Sequence, residues 1–118
     1  MERVLGLGGV FFKAKDPKAL GAWYAKHLGF PIDESYGGAM FSGDGQTLWT
    51  PFAQDTKHFA PSDKPFMFNF RVGDLRAMID QLRDAGVTVD GKIDDTEYGV
   101  FGWLVDPEGN RIELWQPK

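Results

Sequence analysis

Asp106-Pro107-Glu108-Gly109-Asn110-Arg111-Ile112-Glu113-Leu114-Trp115-Gln116-Pro117 decides how this chain folds. Asp-Pro-Glu-Gly-Asn is tight-turn chemistry: proline presets φ, and glycine or asparagine takes the position that needs positive φ. Arg111 to Trp115 then reads as a short strand. Its alternation places Arg111, Glu113 and Trp115 on one face, with Ile112 and Leu114 on the other. A closing strand that turns a carboxylate and an indole the same way is a plausible wall of a binding cavity.

Working outward, two stretches of the chain look alike. Val10 to Asp16 leads into Pro17-Lys18-Ala19-Leu20 and ends at Leu28-Gly29. Phe68 to Asp74 leads into Leu75-Arg76-Ala77-Met78 and ends at Ala85-Gly86. Each is expected to be a strand, an aspartate N-cap, a helix and a glycine stop. Leu20, Trp23, Tyr24 and Leu28 form the apolar stripe of the first helix. Leu75, Met78, Ile79, Leu82 and Ala85 form that of the second. The two aspartates lie about half a chain apart, a weak internal duplication. Short strands are expected after the first helix at 31–34, 38–42 and 46–52, with Gly43-Asp44-Gly45 as a hairpin turn. After the second helix they are expected at 87–91, 96–105 and 110–115. Residues 54–64 are polar, contain Pro61 and read as a connector.

The pattern is βαβββ twice, an α+β class: module 1 at about 4–53 and module 2 at about 65–117 of a single 118-residue domain. Two βαβββ modules are expected to form a curved, cup-like mixed sheet, with one helix backing each half.

Composition narrows the function classes. The 42% apolar content suffices for a core, and the formal charge of −4 with scattered basic residues argues against a nucleic-acid surface. Zero cysteines exclude disulfides and thiolate metal sites. Nothing approaches the roughly 20 apolar residues of a membrane span, and no signal peptide is visible, so a cytoplasmic location is the default. Aromatics make up 14% of the chain, enough to build a core and to line a ligand cavity. Gly6-Leu7-Gly8-Gly9 lacks the preceding strand and following helix of a dinucleotide loop. The acidic segment Asp94, Asp95, Glu97 and Tyr98 reads as a solvated loop.

The terminal run and the paired helix entries resemble the vicinal-oxygen-chelate superfamily, which includes glyoxalase I, extradiol dioxygenases and bleomycin-resistance proteins. In its metal-dependent members four side chains converge in the cup. Carried onto this chain, those positions are Gly9, Thr47, Met67 and Glu113, of which only Glu113 ligates a cation well. Zinc, iron or manganese sites need about three nitrogen or oxygen ligands. No metal ligand set and no cofactor is therefore predicted, and a divalent metal is disfavoured. His27 sits in the last turn of the first helix, where a cation suits the helix end. His58 lies in the connector and is expected to be exposed; its functional alternative is a lid histidine acting as acid or base.

Alternation from these positions gives an expected ligand-binding lining of Phe11, Lys13, Thr47, Trp49, Met67, Asn69, Arg71, Glu113 and Trp115. Glu113 is expected to pair with Arg71 or Lys13, to bind a polar ligand together with Arg71, or to serve as a catalytic base. The resemblance, together with the loss of all but Glu113 from the family's metal positions, leads to the expectation of a metal-independent small-molecule-binding protein with an aromatic, partly charged cavity, forming a homodimer. The alternative is a lyase, isomerase or dioxygenase-type enzyme that uses a divalent metal through Glu113 or metal-free acid–base chemistry. A protein-interaction module is a third class and would need a large exposed apolar patch.

Overall fold

A computed structural model describes residue 10 and residues 12–118. The chain packs as two compact units, Met1–Ala53 and Gln54–Lys118.

In the first unit, helix α1 (Pro17–Leu28) starts where the sequence says it should. The Asp16 carboxylate accepts from the Ala19 N–H at 3.0 Å, Pro17 follows in the first turn, and Gly29 closes the helix at φ 69°. Its buried residues are Leu20 and Tyr24. Tyr24 packs its ring against Phe30 at 5.0 Å, and Phe30 meets Phe41 edge-on at 5.0 Å. A small antiparallel pair follows, β1 (Ile32–Asp33) and β2 (Gly38–Ala39). Its turn is tied by Asp33, whose carbonyl accepts from the Gly37 N–H and whose carboxylate accepts from the Ser35 N–H and hydroxyl.

The first unit departs from expectation in two places. The strand expected ahead of α1 is not formed at residue 10 or residues 12–14, and the rest of that stretch lies outside the described residues. The strand expected at 46–52 is also absent: residues 40–53 have no regular structure, and Trp49 is 78% exposed. A strand exists only where its backbone finds a ladder partner, and alternation in the sequence does not supply one.

The second unit is a complete βαβββ module: β3 (Phe68–Arg71), α2 (Leu75–Asp84), β4 (Asp94–Thr96), β5 (Gly99–Val105) and β6 (Arg111–Pro117). Sheet order is β3-β6-β5-β4, with β3 parallel to β6 and the other neighbours antiparallel. The strand expected at 87–91 is reduced to a single bridge between Val89 and Leu104. Helix α2 opens on Asp74, which accepts from the Ala77 N–H at 3.1 Å, and Gly86 follows it at φ 81°.

Leu75, Ile79 and Leu82 of α2 are at most 1% exposed. They cover the sheet face that carries Gly102, Leu104, Ile112 and Leu114. Gly102 is what lets the helix come close, since a Cβ there would sit 3.0 Å from Ile79 Cδ1. Ile112, Leu104 and Leu114 are also buried to within 1%. The opposite face of the same strands carries Asn69, Arg71, Phe101, Trp103, Arg111, Glu113 and Trp115, by the period-two alternation of each strand. One face therefore makes the core, and the other is released to hold polar groups. No helix among the described residues is long and apolar enough to cross a membrane.

The turn between β5 and β6 fixes which residues oppose each other. Asp106 is buried, and its Oδ1 accepts from the N–H groups of Glu108 and Asn110, each at 2.9 Å. Its Oδ2 accepts from the Asn110 side chain at 2.7 Å, and Gly109 takes φ 81°. Asp106→Ala leaves these donors without an acceptor, and we expect a loss of about 1–3 kcal/mol in urea unfolding. A change below about 0.5 kcal/mol, the usual range of surface substitutions, would show that the turn does not depend on this carboxylate.

Candidate functional site

Glu113 occupies the middle of β6, opposite Trp103 of β5 and Asn69 of β3. Both neighbours use that register to donate to its carboxylate. The Asn69 Nδ2 group donates to Oε2 at 2.8 Å, and the Trp103 indole Nε1–H donates to Oε1 at 3.1 Å. A third group arrives from outside the sheet: His58 Nε2 lies 3.3 Å from Oε1. The Glu113 side chain is 14% exposed and that of His58 is 37% exposed. An ionised carboxylate is acceptor-only, so an ionised Glu113 requires the proton on His58 Nε2. Hydrogen bonds to a charged group are worth more than neutral ones, about 1.5–3 kcal/mol.

Aromatic rings share the sheet face with this carboxylate. The His58 ring stands perpendicular to Trp103 at 6.0 Å, and the Arg111 guanidinium lies 5.2 Å above the Trp103 ring. Phe101 and Trp115, directly opposite each other on β5 and β6, stack at 6.1 Å with planes 6° apart. The Trp115 indole donates to the Tyr98 carbonyl at 3.0 Å, which fixes the ring as a wall. The arrangement is a partly buried carboxylate held by amide and indole donors, next to an imidazole and on the same face as flat rings. It suits a ligand that carries a hydrogen-bond donor on a planar body.

Asn69, Arg71, Glu113 and Trp115 share this face, with Asn69 bonded to Glu113 and Arg71 in register with Trp115. Met67 precedes β3 and is half-buried. Lys13, Thr47 and Trp49 are exposed, outside any regular element, and belong to the first unit. Phe11 lies outside the described residues. Among the described residues, the hydrogen bonds that reach Glu113 come from Asn69, Trp103 and His58, where pairing with Arg71 or Lys13 was expected.

His58 was placed in the connector as exposed, with a lid histidine as its alternative; residues 54–64 pack with the second unit, where His58 meets Glu113 and Lys64 donates to Asn110 at 3.0 Å. Trp103 escaped notice although a signal was present. Counting back symmetrically from the Asp106–Asn110 turn places it opposite Glu113.

The family resemblance implies a metal at Glu113, and the residues present do not fit one. Of the other positions, Gly9 has no side-chain donor and lies outside the described residues, Thr47 offers only an exposed hydroxyl, and Met67 a soft thioether. Both Glu113 oxygens face N–H donors whose protons are not lost at ordinary pH. Among the described residues no group of three or more His, Cys, Asp or Glu is placed to hold a metal ion.

A double-mutant cycle between Trp103→Phe and Glu113→Ala tests the central bond, because phenylalanine keeps an aromatic ring but loses the donor. We expect a coupling of about 0.5–3 kcal/mol from denaturant unfolding. Simple additivity would place the indole and carboxylate in separate networks.

Comparison with known proteins matches this architecture. The profile of the glyoxalase-like domain family covers residues 9–115. A glyoxylase/bleomycin resistance protein/dioxygenase domain from Frankia sp. EAN1pec is 14% identical, with 98% of this chain and 100% of that chain covered and a TM-score of 0.63. TnmS3, an antibiotic binding protein from Streptomyces sp. CB03234, is 20% identical over 88% of each chain, with a TM-score of 0.55. The oxidase ChaP-H2 is 21% identical, with 89% of this chain and 87% of that chain covered and a TM-score of 0.54. At these identities the likeness is one of fold. No curated protein sequence matches the chain. With its terminal hairpin, its βαβββ module and a family profile spanning nearly its whole length, the chain belongs to the glyoxalase-like domain family of the vicinal-oxygen-chelate superfamily.

Proposed function

We propose that this protein binds a small molecule over the Glu113 face of its C-terminal sheet, without a metal ion. The observation that carries this reading is the Glu113 carboxylate, partly buried and held by Asn69 and Trp103 on a sheet face that also carries aromatic rings. A carboxylate fixed in this way is pre-organised to accept from a ligand donor, and the cost of ordering it has already been met in folding. Phe101, partly exposed, supplies flat apolar surface for a ring system, while Trp103 and Trp115, 3% and 8% exposed, back the carboxylate from within. TnmS3, which shares the fold, is an antibiotic binding protein, and that supports reading this site as one for a small molecule.

A second reading rests on His58. An imidazole 3.3 Å from a carboxylate is the pairing used in general acid–base catalysis, in which the carboxylate orients the ring and stabilises its protonated form. Under that reading His58 moves a proton and Glu113 positions it. His58→Asn would then abolish turnover of a bound compound while leaving its affinity largely intact. Under the binding reading no turnover exists to lose.

The test is a melting-shift panel of aromatic, cationic and carboxylate compounds on protein stripped with chelator. We expect hits among planar compounds bearing N–H donors, with about 2.7 kcal/mol of added stability at 100-fold excess over Kd. Glu113→Gln should weaken them by about tenfold or more, as expected for loss of a charge-assisted hydrogen bond. Stabilisation that appears only after nickel, zinc or manganese is added, and vanishes with chelator, would overturn metal-free binding.

A further inference from the structure

A cleft of about 120 Å³ opens on the same unit, lined by Pro61, Val89, Trp103, Val105, Asp90 and Arg111 among others. Its walls are largely apolar, and one strong donor group stands in them. The Arg111 side chain is only 12% exposed, yet its pairing is poor. Among the described residues its one ion pair joins Nη1 to Asp90 Oδ2 at 3.4 Å, a long contact at a single nitrogen. Its Nε is buried and has no hydrogen-bond partner among the described residues. Native structures rarely leave a buried donor unpaired, and where one persists it calls for an explanation.

Asp90 does not depend on Arg111. Its Oδ1 accepts from the Lys92 N–H at 3.1 Å, and its side chain is 38% exposed. Arg111, in contrast, is held in place by the Trp103 ring beneath it. The anchored partner is the cation and the replaceable one is the carboxylate.

We propose that the Arg111 cleft is a binding site for a small carboxylate-bearing molecule, whose carboxylate replaces Asp90 at the end of the guanidinium and takes an Nη1–H and an Nη2–H of Arg111 together. A carboxylate matches the planar guanidinium fork with two parallel hydrogen bonds, where Asp90 makes one long one. The apolar walls take the hydrocarbon body of the ligand, and the volume limits that body to about one ring. The site shares the Trp103 wall with Glu113 but recognises the opposite charge.

Benzoate is the probe, with benzamide as its neutral counterpart of the same shape; neither depends on the metal question or on Glu113 as an acceptor of a cation. Binding to the full chain is followed by ¹H–¹⁵N NMR at the Arg111 Nε–H and Trp103 Nε1–H resonances. We expect saturable binding of benzoate about tenfold tighter than benzamide, with a shift of the Arg111 Nε–H signal. Arg111→Lys keeps the charge but removes the fork, and should weaken benzoate about tenfold. Asp90→Asn removes the competing carboxylate and should tighten benzoate severalfold. Equal affinity for benzoate and benzamide, no saturable benzoate binding, or an Asp90→Asn variant that binds benzoate no better than wild type would each overturn the proposal. Should Arg111→Lys fail to fold, the Asp90→Asn comparison and the benzoate–benzamide contrast decide it.

Discussion

The register of the β5–β6 hairpin is the constraint on which the site depends. Strand side chains alternate, so a slip of one residue would send Glu113 into the helix-covered core and Ile112 out to the polar face. Asp106 prevents that slip by tying the turn at Glu108 and Asn110. With register fixed, Trp103 stands opposite Glu113 and Phe101 opposite Trp115, while β3 brings Asn69 alongside in parallel. The hydrogen bonds and ring stacks of the site follow from those pairings. Gly102 and the α2 side chains on the far side keep the sheet anchored while the near face stays polar.

A carboxylate in this setting has two physical options. It can meet a cation, whose charge offsets desolvation, or it can meet several N–H donors that share the same task. The sequence places no second hard ligand where the family would use one, and the fold supplies donors. Asn69 and Trp103 are donors at any ordinary pH, and His58 adds a third contact whose role as donor or acceptor depends on its tautomer. A family position associated with metal ligation thus becomes a hydrogen-bonded anchor, without any change of fold.

Much of this was legible in the sequence, and the failures have identifiable causes. Asp16 and Asp74 with their downstream glycines mark both helices, because capping is local chemistry between neighbours a few residues apart. The terminal turn and strand were legible for the same reason. The expected strand at 46–52 was not formed, since alternation shows that a segment suits a sheet and says nothing of whether a partner is there. That Asn69, Arg71, Glu113 and Trp115 share one sheet face followed from alternation along two strands. Trp103 required pairing those strands across a third, and His58 required knowing that an irregular segment folds back over the sheet. Contacts between residues 55 positions apart leave no local trace.

The most direct test is the Trp103 indole ¹H–¹⁵N resonance during titration with manganese(II), a paramagnetic ion that erases nearby signals. If Glu113 is held by Asn69, Trp103 and His58, equimolar manganese leaves that resonance intact, and Glu113→Gln shifts it by altering the acceptor of its hydrogen bond. Selective loss of the Trp103 signal at equimolar manganese, restored by Glu113→Gln, would place a metal on Glu113 and contradict the account.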